Sequence, residues 1–371
     1  MEFTVNRSDL VRELGLSQGV VERKATIPIL SNVLLEANGD GLTLTATDLE
    51  LGIRCTCPAR VKKAGSGTIP AKKLMDYVRL LAEGEINIKF AENQWASITA
   101  GKARTRLAGM SRESFPELPE LPEILAELPV KLLSGMIQRT IFAISAEESR
   151  FTLNGALLLV KRDGLTMVST DSHRLALVEA PLELDLADEK GFRALLPRKA
   201  MNELIRLSAE AGPDAKLQFS GDDNHLFFQI GDRLLISRKL TGNFPEFERV
   251  LPKEQPNILT MQREQLKACL ERVMQFADER SRAIKLRAAD GEVMLHSSLS
   301  DTGESEESLD VVYTGPKIEI GFNAQYLLEF LRAVEESEVS FLFKDAGAAG
   351  EMRPSGEGPL KYRYIVMPMR I

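Results

Sequence analysis

Asp171-Ser172-His173 brings the three side-chain types of an acyl-transfer triad into consecutive positions. Neighbouring residues on an extended segment point to opposite faces, so these three cannot relay a proton among themselves. No Gly-x-Ser-x-Gly elbow is present to present a nucleophile. A Gly-x-x-x-x-Gly-Lys-Ser/Thr loop is missing too, so the chain is not expected to hydrolyse ATP. Cys55 and Cys57 stand two apart, on one face of a strand, with Cys269 far away. Without clustered histidines that pair reads as two half-buried strand cysteines, not as a zinc site. His225 and His296 read as isolated strand residues. No catalytic residue, metal or cofactor is assigned.

The elements that carry these residues follow from local pattern. A strand over Phe3–Val5 leads into a helix from Ser8, read as its N-cap, to about Gln18. Leu10, Val11 and Leu14 give that helix an apolar stripe. Turns are signalled at Asn38-Gly39-Asp40-Gly41 and at Arg162-Asp163-Gly164. A second helix is expected over about 71–82. Helices with many antiparallel strands indicate an α+β class. No apolar run approaches the ~20 residues of a membrane span, so no membrane partner is expected. The first residues lack the pattern of a secretory signal, and three cysteines suit a reducing cytosol, which points to a cytoplasmic protein.

The chain repeats itself. Gly41-Leu42-Thr43-Leu44-Thr45-Ala46-Thr47-Asp48 returns as Gly164-Leu165-Thr166-Met167-Val168-Ser169-Thr170-Asp171, 123 positions later. The helical run from Pro70 to Leu81 returns from Pro197 to Ser208, and more weakly from Asn323 to Arg332. Phe115-Pro116-Glu117-Leu118 resembles Phe244-Pro245-Glu246-Phe247. A third of 371 residues is about 124, long enough for each copy to bury its own core. Three tandem homologous domains are expected, 1–121, 122–252 and 253–371, joined at proline-rich stretches.

A net charge of −7 argues at face value against a nucleic-acid partner. The distribution reverses that. Six expected helical segments together carry +8, which leaves −15 on the rest. Helix propensity favours Lys and Glu alike, so it predicts no sign bias. Helices sharing one surface toward a polyanion would explain it, with binding to backbone and no sequence choice. A second polarity separates basic Gly101-Lys102-Ala103-Arg104-Thr105-Arg106 from acidic Asp301–Glu307. Two solvated edges would suffice; head-to-tail association of two chains is the sharper reading.

Taken together these stretches resemble the bacterial DNA polymerase III beta subunit family, the sliding clamps. The resemblance runs along essentially the whole chain. It is carried by Ile27-Pro28-Ile29-Leu30-Ser31-Asn32, Thr45–Glu50, Leu153-Asn154-Gly155, Thr170–Ala176, Asn243–Pro252 and Val366–Ile371. It implies a head-to-tail homodimeric ring of the DNA-clamp fold, with helices lining a central hole and antiparallel sheets outside. Duplex DNA would thread the hole. The clamp would tether the DNA polymerase III catalytic subunit after a clamp loader complex opens the ring. Other polymerases and repair proteins would bind through short clamp-binding peptides.

By position, the resemblance implies DNA contacts from Arg23, Lys24, Lys72, Arg79, Arg198, Lys199, Arg206, Lys267 and Arg332. It implies a partner-peptide pocket from Leu153, from Thr170, His173, Arg174 and Leu175, from Pro245, Arg249 and Val250, and from Val366, Met367, Pro368, Met369 and Arg370. For the dimer interface it points to Leu107 and Phe276, with Lys73, Lys102 and Arg104 facing Glu304, Glu306 and Glu307. Thr105 stands where the family usually has an aromatic residue. Glu147 and Glu148 replace family positions that often carry His or Gln, and weaken any DNA contact by that loop. The rival reading is a three-domain protein scaffold without DNA binding.

Overall fold

The computed structural model describes residues 1–21, 26–186, 190–299, 301–356 and 358–370. Among the described residues the strands form three antiparallel sheets of twelve, eight and four. The helices are α1 (Arg7–Ser17), α2 (Ala71–Leu80), α3 (Val130–Thr140), α4 (Arg198–Ala209), α5 (Arg263–Val273) and α6 (Ala324–Ala333). Each falls on a segment read as helical from sequence. The chain divides into two compact units, one of residues 1–134 with 199–239, the other of 135–198 with 240–371.

In the first unit, α1 starts one residue earlier than expected. Its N-cap is Asn6, not Ser8. The Asn6 carboxamide oxygen accepts from the Ser8 backbone N–H at 3.0 Å and from the Ser8 hydroxyl at 2.8 Å. An N-cap side chain serves the orphan N–H two residues on, so Ser8 is the residue capped. Leu10 and Leu14 are buried as the stripe required, and so is Glu13. The Glu13 carboxylate accepts from Arg233 at 2.7 and 2.9 Å and from Arg12 at 2.8 Å. Burial alone would raise its pKa, but these bonds from Arg233 and Arg12 hold it below the usual carboxylate range.

The twelve-stranded sheet of this unit begins at Ala103–Ala108, which among the described residues pairs only with Trp95–Ala100. Strand Leu51–Lys63 crosses it near the middle and pairs with Glu2–Asn6, Gly41–Thr47 and Arg233–Arg238. Cys55 and Cys57 are buried on that strand, and Cys269 is buried on α5. Burial pushes all three thiols up, Cys57 and Cys269 to about 12.

In the second unit, Arg174–Pro181 pairs with Gly164–Thr170 on one side and Lys361–Val366 on the other. A separate four-stranded sheet ends on Gly303–Asp310, which among the described residues pairs only with Glu292–Leu299. Glu351 is a second buried carboxylate between two arginines, with Arg363 donating at 2.7 and 2.9 Å and Arg353 beside it.

The sequence repeat is a repeat of hydrogen bonds. The Thr47 hydroxyl donates to the Leu51 carbonyl at 2.9 Å and accepts from the Leu49 N–H at 2.9 Å. The Thr170 hydroxyl donates to the Arg174 carbonyl at 2.6 Å and accepts from the Ser172 N–H at 3.1 Å. Asp48 and Asp171 each accept the backbone N–H groups two and three residues on. Leu49 and Ser172 sit at the same left-handed φ of 78°. That region costs a non-glycine residue on the order of 1 kcal/mol, which the paired bonds offset.

Candidate functional site

The Asp171-Ser172-His173 run is therefore a tight turn, not the extended segment expected from sequence. Asp171 is spent on backbone N–H groups and on Arg174, and the Ser172 hydroxyl accepts from Arg150 at 2.9 Å. Its purpose is to fix the edge of a cavity of about 210 Å³. The lining is Thr170, Ser172, Arg174, Leu175, Pro245, Glu246, Phe247, Val250, Ile365 and Met367. Thr170, Arg174, Leu175, Pro245, Val250 and Met367 belong to the pocket set named from sequence.

The remainder of that set does not line this cavity. Leu153 lies beneath it, in a core with Leu157, Val168, Leu175, Leu177, Phe247 and Ile365. His173 is exposed at the turn, and its carbonyl accepts the Met367 N–H at 2.9 Å. Arg249 is largely exposed and ion-paired to Glu246. Val366 is fully buried opposite Arg174 in the ladder. Met369 bonds the Gly321 carbonyl at 2.8 Å, Pro368 is half-buried and Arg370 is exposed. Strand alternation explains the difference: Ile365 and Met367 share one face, and Val366 takes the other. The pocket set omitted Ser172, Glu246, Phe247 and Ile365. The period-two rule would have chosen Ile365 over Val366.

Arg174 lines the cavity and is also tied into the fold. Its guanidinium is buried and already donates to Asp171 at 3.0 Å, to the Phe142 carbonyl at 2.7 Å and to Glu329. It lies 4.2 Å from the Tyr326 ring centroid and 5.4 Å from that of Phe142. These partners leave little donor capacity for a ligand carboxylate. Arg174 is a wall and a tie between the pocket strand, the residues after α3, and α6. Apolar floor and rim, with few polar groups, suit a short apolar peptide segment.

The cations named for DNA sit on helix surfaces. Lys72, Arg79, Arg198, Lys199, Arg206 and Arg332 are exposed and Lys267 is half-buried. Several carry carboxylate neighbours: Lys72 with Asp76 at 2.6 Å, Lys199 with Asp48, Arg206 with Glu203 at 2.9 Å, Lys267 with Glu264 at 3.6 Å and Arg332 with Glu271 at 2.8 Å. The Lys72–Asp76 and Arg332–Glu271 pairs are exposed at both ends and contribute ~0–1 kcal/mol, so a phosphate could displace those carboxylates at small cost, whereas Asp48 and Glu203 are mostly buried and would be left unpaired. Arg23 and Lys24 lie outside the described residues.

The two charged stretches are end strands of their sheets. On Ala103–Ala108, Arg104 and Arg106 are exposed, with Lys102 in the preceding turn, and Leu107 is half-buried. Lys73 is exposed on α2. On Gly303–Asp310, Glu304 and Glu306 share the exposed face. Glu307 takes the other face, where both its oxygens accept from Arg272. Phe276 is half-buried beside Gly303. In the loop with the two added acids, Glu147 pairs with Arg150 at 2.8 Å.

Models of three domains of the DNA polymerase III beta subunit match the chain: N-terminal over residues 1–119, central over 127–246 and C-terminal over 248–370. The beta sliding clamp of Pseudomonas putida is 35% identical, over 100% of both chains. That of Chlamydia muridarum is 33% identical, over 100% of this chain and 99% of its own. A crystal structure of the Pseudomonas aeruginosa clamp bound to griselimycin superposes with a TM-score of 0.94 at 33% identity, covering 100% of both chains. The Bacillus subtilis clamp gives a TM-score of 0.94 at 25% identity, over 100% of this chain and 99% of that one. With a cavity, helices and end strands arranged as described, and full-length relatives at this identity, the chain belongs to the DNA polymerase III beta subunit family, the non-catalytic DNA sliding clamps of replication.

Proposed function

We propose that two copies of the chain, each of three domains over 1–121, 122–252 and 253–371, close head to tail into a ring around duplex DNA in the cytoplasm. The observation that carries this reading is the pair of unfilled end strands. Ala103–Ala108 is basic and Gly303–Asp310 is acidic, and among the described residues each has a partner strand on one side only. An unpaired strand edge is a template for another chain, and opposite charge fixes which edge meets which. The contact joins two different patches, so it must either close or polymerise.

Inside the ring, exposed cations on the helices would meet the phosphate backbone without reading bases. Such contacts allow sliding, and enclosure raises the local concentration of a tethered polymerase without tight binding. The cavity around Leu175 and Met367 would take short apolar segments of the polymerase and of other DNA-processing proteins. No phosphate loop is present, so a separate loader would open the ring.

The test compares retention on closed circular DNA with retention on the same DNA after linearisation, across a salt titration. Retention on the circle and rapid loss from the linear form is expected. Equal retention on both would refute topological binding and favour a plain DNA-binding or scaffold role.

A further inference from the structure

The first unit repeats the backbone frame of the cavity. The Arg238 N–H donates to the Glu50 carbonyl at 2.8 Å, as the Met367 N–H does to the His173 carbonyl at 2.9 Å. Ile236 stands opposite Gly52 in the ladder, as Ile365 stands opposite Leu175. The repeat places Leu118 where the second copy has Phe247, and Leu121 where it has Val250.

The floors differ. In the second copy, Val168, Leu175 and Leu177 join one continuous core that reaches Phe247 and Ile365. In the first, Thr45, Gly52 and Arg54 occupy those positions. Among the described residues two separate clusters flank them, one around Leu34 and Phe115, the other around Phe227, Leu234 and Ile236. Leu118 drops into the gap. Its methyls lie 3.0 Å from where a Cβ on Gly52 would stand, and with Leu121 it packs against the second cluster. Thr45 is buried beneath with its hydroxyl unpartnered among the described residues.

We propose that this first cleft is a ligand site closed in cis by Leu118, so that each chain offers one apolar peptide site and not two. In the second copy, the bulk of Leu175 and Phe247 holds the walls apart. In the first, Gly52 removes the prop and Leu118 fills the space that a ligand side chain takes elsewhere. Residues 52 and 118 are thus the determinants that silence one of two duplicated sites. The inference rests on the peptide-pocket reading of the second cleft.

The experiment titrates the full chain into a fluorescein-labelled hexapeptide with three bulky apolar side chains, read by anisotropy. The wild-type chain should bind one peptide. Blocking the second cleft with Val250→Trp, and independently with Met367→Asp, should abolish saturable binding. In either blocked background, Leu118→Ala, alone or with Thr45→Val, should restore a site about tenfold to a hundredfold weaker than wild type. Two peptides per wild-type chain, or one remaining in both blocked variants, would overturn the proposal. So would no regained binding by both Leu118 variants when their circular dichroism and hydrodynamic mass match wild type. A wild-type chain that binds no peptide would instead overturn the pocket itself, and the closed cleft with it.

Discussion

Glu13 and Arg233 are 220 positions apart and are joined by two hydrogen bonds of 2.7 and 2.9 Å, with the carboxylate almost wholly buried. The first helix is thereby fastened to strand Arg233–Arg238, which continues the sheet from Leu51–Lys63. A buried ion pair adds little over an apolar pair, but removing one partner strands the other. Glu13→Gln should therefore cost about 3–5 kcal/mol. Urea unfolding at neutral pH checks this, and an unchanged midpoint would contradict it.

The same carboxylate sets an acid limit. Its folded pKa lies below the ordinary value of 4.5, so the unfolded chain takes up the proton first. The stabilisation is present in full above that ordinary value and is lost as pH falls through the depressed one. Glu351 has the same sign, because Arg363 and Arg353 outweigh the effect of its burial. Wild-type stability should fall steeply below about pH 4, and Glu13→Gln should flatten that slope. Parallel pH profiles for the two proteins would show that Glu13 is not the titrating group.

If two copies pair as proposed, wild type should sediment as a dimer, and reversing Glu304 and Glu306 to lysine should yield monomers at the same concentration. Like charges on facing strands repel, and the end strand Ala103–Ala108 is basic. Glu307 is a different case, because it already holds Arg272. Glu307→Gln should loosen α5 within its own chain and leave the dimer intact. A dimer that survives both reversals would remove the strand-edge assignment.

Arg79 and Arg198 are exposed and have no ion-pair partner among the described residues. Each changed to Gln should lower the salt slope of DNA binding by about one unit. Lys72 and Arg332 first have to leave Asp76 and Glu271, so their removal should weaken binding less. Filter binding over a salt series ranks the four, and equal losses would contradict the ranking.

Arg174→Met should cost about 3–5 kcal/mol in stability, since Asp171 and Glu329 would be left without their cation. Val250→Asp should leave stability within about 0.5 kcal/mol, because Val250 is half-exposed, while weakening peptide binding. Thermal unfolding and peptide anisotropy on the same two variants separate a structural tie from a ligand contact.

The helices were readable because their signals are local. Pro70 and Pro197 start two of them, and the apolar spacing of Leu74 and Val78 marks the buried face. Asn6 was missed as a cap because Ser8 is an equally good capping type, and only the bond direction separates them. The role of Arg174 was hidden for a different reason. Its partner Glu329 is 155 positions away, and no local pattern pairs the two. Six of the ten residues lining the cavity were named through the family resemblance, Thr170, Arg174 and Leu175 of them at the repeated turn. Ile365 was lost by reading Val366–Arg370 as a block without applying strand alternation. Gly52 gave no sign of its importance, since a glycine in a strand shows its effect only through what settles on it.

The three native thiols are all buried and are held protonated well past neutrality. A protonated, inaccessible sulfur does not attack a maleimide or another disulfide. Chemistry can therefore be aimed at a single introduced cysteine without first stripping the native ones. One cysteine at Arg104 and one at Glu304 would test the proposed meeting of two strand edges by a covalent bond. A crosslinked dimer on a non-reducing gel would record that proposed closure.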